Sequence, residues 1–491
     1  MNPTDAPAGP LIASPVDEPG PQPRLIAHYI GLFLAVLMVA VVTWRALALY
    51  HTVDAAPYVI FNGVRGEIDE SNWMESTYFY NLFFVKHDVK NIDWLRLISF
   101  DQPPVFKYIL GAAIHLTRHK VVESPAGIER WFQTTLGPIQ LRPMIERWAR
   151  APSPEQEKWI RHLSDFVEPV VANAPTLFDK DDYHAGRVMV LFFGVLTAVL
   201  LAVMASAAFR NLFACVLAAA VFLGNGTVGG SIKMIYCDSV CALFSVTTVL
   251  ALIAALNALR RTEAPPLRAL AWSLGAGVSL GLALGTKFID MYVAAAMALA
   301  YGASLASVGW RWREKSSRRR VMATLRSGAV ALIGAVVAFV GLNPFLYADP
   351  VDGTLWMLRH RLITMAAQAA VQSPAFPSGA RQRAWLVIRH GILFQPDAGP
   401  ALQVLVAGLF LAGFFALARD AWRELARGAG AGPSTVMLCW AGAAFLLNGG
   451  LINMDWGRYY MPFILATALL VARGVDDLVS RFYLNREMRN F

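Results

Sequence analysis

The chain carries apolar blocks long enough to cross a bilayer, and they follow one another so closely that little else can be built from them. A span needs roughly 17–25 predominantly apolar residues. Such blocks fall at residues 25–49, 187–209, 212–230, 239–259, 269–286, 288–308, 327–345, 401–418, 435–453 and 459–474. In lipid, backbone polar groups must be satisfied within the segment, so blocks of this length become helices. The expected fold is all-α: a polytopic membrane protein of about ten spans. Composition agrees, since 56% of the 491 residues are hydrophobic and 16% are charged, against about a quarter charged in an ordinary soluble domain.

Charge placement gives orientation. With residues 1–24 in the cytoplasm and the spans alternating, the inner segments hold about 18 Lys/Arg and the short outer loops about three, Lys233, Lys287 and Arg458. The formal charge of +9 is therefore an orientation signal, and nucleic acid is not an expected partner. Residues 1–24, rich in Pro, Ala and Gly, read as a disordered cytoplasmic tail, and residues 476–491 as a cytoplasmic C-terminal tail. The four cysteines, Cys215, Cys237, Cys241 and Cys439, lie in or beside apolar segments, which suits buried thiols better than a disulfide framework. Cys237 and Cys241 have helical i,i+4 spacing, but no third soft ligand accompanies them, so no metal site is expected there.

Within the membrane domain of residues 25–475, two long outer segments remain, residues 50–185 and 346–400. Loops of that length carry structure of their own. Trp73, Thr77, Tyr80 and Phe84 recur at helical spacing, as do Phe106, Leu110, Ala113 and Leu116. Both stretches predict helices lying along the membrane surface or docked on the bundle, and the stretch around Trp356 predicts another.

The ionisable residues of interest collect on this outer side. In E-I-D-E-S-N-W, Asp69 and Glu70 stand side by side soon after the first span; they suit the first turn of a helix as caps, or they are reactive carboxylates. In D-Q-P-P-V-F-K-Y, Asp101 and Gln102 precede Pro103–Pro104, which can open a helix but not continue one, and Lys107 falls in its first turn. Asp238 begins a span, where it can cap the helix or serve a site. Lys287 and Arg458 sit at outer turns and could snorkel to headgroups. Arg359 and Arg361 lie in the second long segment, where a solvated face is the simpler reading. Together, carboxylates and cations on one membrane side suit chemistry on a lipid-linked phosphate: a carboxylate deprotonates an acceptor while Lys and Arg hold the leaving phosphate.

These residues resemble those of the integral-membrane glycosyltransferases of the GT-C superfamily, in particular the protein O-mannosyltransferases and the lipid A aminoarabinose transferase. I-D-E-S at 68–71 is similar to the family's acidic pair after span one. D-Q-P-P-V-F-K resembles its H-P-P-L-x-K, with Gln102 for His and Val105 for Leu. C-D-S-V-C-A-L-F, G-L-A-L-G-T-K-F and R-Y-Y-M-P resemble three later family segments, and the order holds from about residue 60 to 475. The resemblance implies inverting transfer of a sugar from a polyprenyl-phosphate donor to a glycan, lipid or protein acceptor. It implies Asp69 as general base, with Glu70 holding acceptor or geometry. By motif it marks Asp101, Gln102, Lys107, Asp238, Lys287 and Arg458 as donor-site residues, and Arg359 and Arg361 are added as further phosphate contacts. It implies an inner (cytoplasmic) membrane location with the site on the periplasmic face and both termini inside. No cofactor is expected. A divalent-metal variant of the enzyme would need a D-x-D-like pair, which Glu67 and Asp69 offer only loosely. The competing class is a transporter or lipid flippase, for which internal repeats and midplane polar groups would be expected; neither is evident.

Overall fold

The computed structural model describes residues 22–55, 68–95, 102–123, 178–261, 267–310, 314–371, 379–393, 399–451 and 457–489. All regular structure among them is helical. Seven helices are long and apolar enough to cross a membrane. They are found in α1 (Gln22–His51), α4 (Lys180–Ser206), α6 (Asp238–Arg261), α7 (Leu267–Leu284), α8 (Met291–Gly309), α9 (Lys315–Gly341) and α11 (Pro400–Ala426), with α2 (Ile68–Glu75), α3 (Val105–Arg118), α5 (Leu212–Gly224) and α10 (Pro350–Val371) between them. The chain is an all-α polytopic membrane protein.

Three of the ten expected spans take other forms. The block at 212–230 breaks at Asn225 into α5 and the short helix Gly226–Ser231. At 1.5 Å per residue, the 13 residues of α5 reach about 20 Å, short of the roughly 30 Å hydrocarbon core. The block at 435–453 becomes α12 (Pro433–Ala443) followed by a π-helical turn, Ala444–Asn448. The last block opens α13 (Met461–Arg489), which continues through the segment expected as a tail.

Small residues set how closely the long helices approach. On α7, Gly277 and Gly281 face the backbone carbonyls of Ala331 and Ala335 on α9, leaving no room for a Cβ. Gly413 of α11 and Gly474 of α13 meet Leu470 and Leu409 in the same way. In lipid, where apolar contact alone gives little preference, such small-residue seams let backbones pack. Buried hydroxyls add polar contacts: Ser245 with Tyr292, and Ser273 with Tyr301.

A second apolar cluster holds the outer helices. Trp73, Phe79, Trp94 and Phe106 pack with Tyr183 and Val190 of α4 and with Ile235, Cys237 and Val240 at the start of α6. The outer segment is thereby fixed to the ends of two spans. The N-terminus of α4 is closed by a capping box: Asp182 N–H donates to Asp179 Oδ1 and Asp179 N–H to Asp182 Oδ2, each at 2.9 Å. Lys120, just beyond α3, donates to Asp182 Oδ2 at 2.6 Å. All four cysteines are free thiols, three of them buried.

Candidate active site

The acidic pair lies in α2. Glu70 turns wholly inward and is inaccessible to solvent. Arg187 of α4 grips it in a two-pronged ion pair, Nε to Oε1 at 2.9 Å and Nη2 to Oε2 at 2.6 Å. The Ile235 backbone N–H donates to Oε1 as well, at 2.9 Å. Arg187 Nη1 reaches the Val53 carbonyl at 3.3 Å. A buried carboxylate is tolerable only when paired and hydrogen-bonded in this way. Both Glu70 oxygens are committed, and these contacts tie α2 to α4 and to the chain entering α6. For Asp69 the backbone places the residue beside Glu70 in α2; its side chain lies outside the described residues, as does all of Asp101.

Three residues after Ile235 comes Asp238, the first residue of α6. Its Oδ1 accepts from Lys287 Nζ at 2.7 Å, and both side chains are buried. Burial alone would lower the Lys287 pKa, but the Asp238 carboxylate outweighs it and holds that pKa above its ordinary value. Lys287 Nζ also lies 4.6 Å from the centre of the Tyr459 ring. The Arg458 guanidinium lies over Tyr236, 4.5 Å from that ring centre, and 5.7 Å from the centre of Tyr459. Arg361 Nη2 donates to the Tyr459 hydroxyl at 3.4 Å. Cations from three separate segments thus meet at one tyrosine, a setting that combines cation–π contact with hydrogen bonding.

The Pro-Pro motif joins the same neighbourhood through its backbone. Pro104 caps α3, and Val105 N–H donates to the Gly285 carbonyl at 2.9 Å, two residues before Lys287. Gln102 is half-buried beside it. Lys107, expected among the donor-site residues, is buried, with Nζ over the Phe79 ring at 5.2 Å. Arg359 is exposed on α10, while Arg361, half a turn further on, makes the Tyr459 contact.

Arg187, Tyr236, Asp290 and Tyr459 were not singled out from sequence. Arg187 and Asp290 carried a signal, each being an ionisable residue at the start of an apolar span. Asp290 follows Lys287 by three residues and is buried, with Oδ2 unpartnered among the described residues. It lines a small pocket, of about 10 Å³, with Asp238, Cys241, Tyr292 and Met461. Among the described residues no three His, Cys, Asp or Glu side chains come together as a metal site; Glu67, Asp101 and the Asp69 side chain are not among them.

The arrangement offers fixed cations beside a carboxylate-bearing helix at the ends of spans, which is what displacement of an anionic leaving group from a lipid carrier requires. Solved structures of the Archaeoglobus fulgidus oligosaccharyltransferase are similar over 92% of this chain. One, in complex with an inhibitory peptide and a dolichol-phosphate, shares 14% identity with a TM-score of 0.48 and is covered over 52% of its own length. Another, tethered with an acceptor peptide, shares 13% identity with a TM-score of 0.48 and is covered over 51%. This chain therefore spans about half the length of the solved structures it matches. No curated protein matches it. Residues 169–345, about a third of the chain, match the family model described as Dolichyl-phosphate-mannose-protein mannosyltransferase.

Proposed function

We propose that this protein transfers a sugar from a polyprenyl-phosphate-linked donor to an acceptor glycan, lipid or protein at the non-cytoplasmic face of the inner membrane, with inversion at the anomeric carbon. The observation that carries the reading is the meeting of Lys287, Arg361 and Arg458 around Tyr459. It lies on the same outer turns that the buried Glu70 ties to α2 through Ile235.

In this mechanism Asp69 takes the proton of the acceptor hydroxyl or amine. The acceptor oxygen or nitrogen forms its bond to the anomeric carbon as the bond from that carbon to the phosphate oxygen breaks. The electron pair stays on the phosphate, whose charge Lys287, Arg361 and Arg458 offset. Asp238 aims the Lys287 ammonium, and Glu70 holds α2, and with it Asp69, in place. The similar oligosaccharyltransferase structure contains a dolichol-phosphate, and the matching family model names a dolichyl-phosphate donor; both agree with an isoprenoid carrier. The transporter reading has no such support.

Mass spectrometry of lipids co-purified with the protein should reveal a polyprenyl-phosphate sugar. With that donor in liposomes, Asp69→Asn should lower turnover by about 10²–10⁴-fold and leave donor binding near wild type. Unchanged turnover in this variant removes Asp69 from the role, and counterflow of solute without any covalent product would restore the transporter.

A further inference from the structure

A second group of hydrogen-bond donors lies on another side of the molecule, within the first span. Arg45 belongs to the candidate span Gly31–His51. It lies six residues before the end of α1, so its Cα is about 9 Å below that end. Its Nε donates to the Leu223 carbonyl at 3.3 Å. Neither residues 22–53 nor residues 212–237, the segments meeting here, contain an acidic residue. Among the described residues no carboxylate pairs with Arg45. A guanidinium has five N–H donors and remains charged. Holding one within a span is costly, and an intramembrane ionisable group calls for a partner.

The surroundings are built from donors and open backbone. Arg45 Nη2 rests against Gly229, where a Cβ would come within 3.0 Å. Gly224 and Gly230, on either side, are exposed with nothing near their missing side chains. Asn225, in the same turn, is wholly buried; its Oδ1 accepts from Val228 N–H, and its Nδ2 has no acceptor among the described residues. Two turns beyond Arg45, just past the end of α1, the Thr52 hydroxyl accepts from Lys233 Nζ at 3.4 Å. A cation just past the end of α1 and a cation below it therefore flank exposed glycines, with an unspent amide buried in the same turn. The complement of such a surface is an anion carried on an acyl or isoprenoid chain.

We infer that Arg45 and Lys233, beside the glycine-rich turn at Asn225, form a lateral binding site for the phosphate of a lipid, separate from the cations at Tyr459. The helix Gly226–Ser231 divides the two. Thr227 packs against Gly457, beside Arg458, while Gly229 meets Arg45, and residues two apart point to nearly opposite sides of a helix. The site does not depend on the transferase reading, and it can belong to a phospholipid or to a second isoprenoid phosphate.

The test uses native mass spectrometry of the purified full-length protein titrated with a polyprenyl monophosphate, the corresponding polyprenol and phosphatidylglycerol. Wild type should bind two phosphate-bearing lipids. Arg45→Gln should weaken one of the two by about tenfold or more, the worth of a lost charge-assisted contact, with polyprenol unaffected. Arg45→Lys, which keeps the charge but not the fork, and Gly229→Ala, which displaces the guanidinium, should each weaken the same event; they serve if Arg45→Gln does not fold. Lys287→Met should weaken the other event, so that loss of one site is told apart from loss of the other. Displacement of the Arg45-dependent lipid by phosphatidylglycerol identifies a phospholipid site, and resistance to it an isoprenoid one. Equal binding of phosphate and alcohol, or wild-type binding in all three Arg45-site variants, means that Arg45 merely snorkels and overturns the inference.

Discussion

At Glu70 and Arg187 the protein buries two opposite charges with no solvent contact at all. Removing one partner leaves the other charged in a medium that cannot solvate it, at a cost of about 3–5 kcal/mol. Arg187→Ala should therefore lower the folded yield and the thermal midpoint sharply, whereas replacing both residues by apolar ones of similar size should recover part of the loss. Differential scanning fluorimetry of single and double variants checks this. An additive double variant would mean that the pair is not coupled. Lys287 gives the contrasting case. Its pKa is raised in the fold, so its contribution is complete below the unfolded value of about 10.4 and is lost only as pH rises through the folded one. Binding of a polyprenyl phosphate should accordingly show no Lys287 titration between about pH 7 and 9. A loss of binding in that window that Lys287→Arg abolishes would contradict the raised pKa.

Among the elements, α4 depends on its first turn. Asp179 caps it, and the hydrogen bond from the Asp182 backbone N–H holds the Asp179 carboxyl below its ordinary pKa. A depressed pKa gives stability that is present above the unfolded value, about 3.9, and disappears as pH falls through the folded one. Asp179→Ala should cost about 1 kcal/mol at neutral pH, with the difference from wild type vanishing in acid; a difference that persists unchanged there would rule out the cap. The seam between α11 and α13 is stricter. Gly413→Val must push a side chain into the Leu470 backbone, and overpacking of this kind costs about 1–3 kcal/mol. A wild-type thermal midpoint in Gly413→Val would show that the helices separate without penalty.

The elements also show what the sequence could and could not express. Proline chemistry predicted the helix after Pro103–Pro104, and Asp238 opens α6 where the apolar block begins, because both are local signals. The break at Asn225 was missed although G-N-G-T-V-G-G at 224–230 carries a local turn signal, because overall apolar length alone defined the block. The partner of Glu70 lies 117 residues away, and which face of α4 turns toward it depends on packing with the outer aromatic cluster. Lys107 was expected among the donor-site residues by motif. The helix opens where expected, and it sets that side chain over Phe79. Side-chain direction is set by neighbours from elsewhere in the chain, and a local pattern does not contain it.

For the whole molecule, the cation site and the basic helix ends should lie on opposite sides of the bilayer. One end of the helix bundle gathers Asp238, Lys287 and Arg458. At the other end, Arg473 of α13 binds Asp420 and Asp476, and Arg419 pairs with Asp477 at 2.8 Å. Basic residues retained at one face orient a membrane chain with that face in the cytoplasm. A polyprenyl-phosphate donor at the Tyr459 site would then be met from the periplasm. Accessible cysteines can test this orientation with little background, because three native thiols are buried and the fourth is half-buried. Asp352 is exposed on α10 beyond the outer end of α9, and the Arg423 side chain is 62% exposed at the basic end. A membrane-impermeant maleimide should label Asp352→Cys from the periplasmic side of cells with a permeabilised outer envelope, and Arg423→Cys only after the inner membrane is opened. The reverse pattern would turn the protein over and place any reaction at Tyr459 in the cytoplasm, where a soluble nucleotide sugar could serve as donor and a lipid carrier would no longer be required.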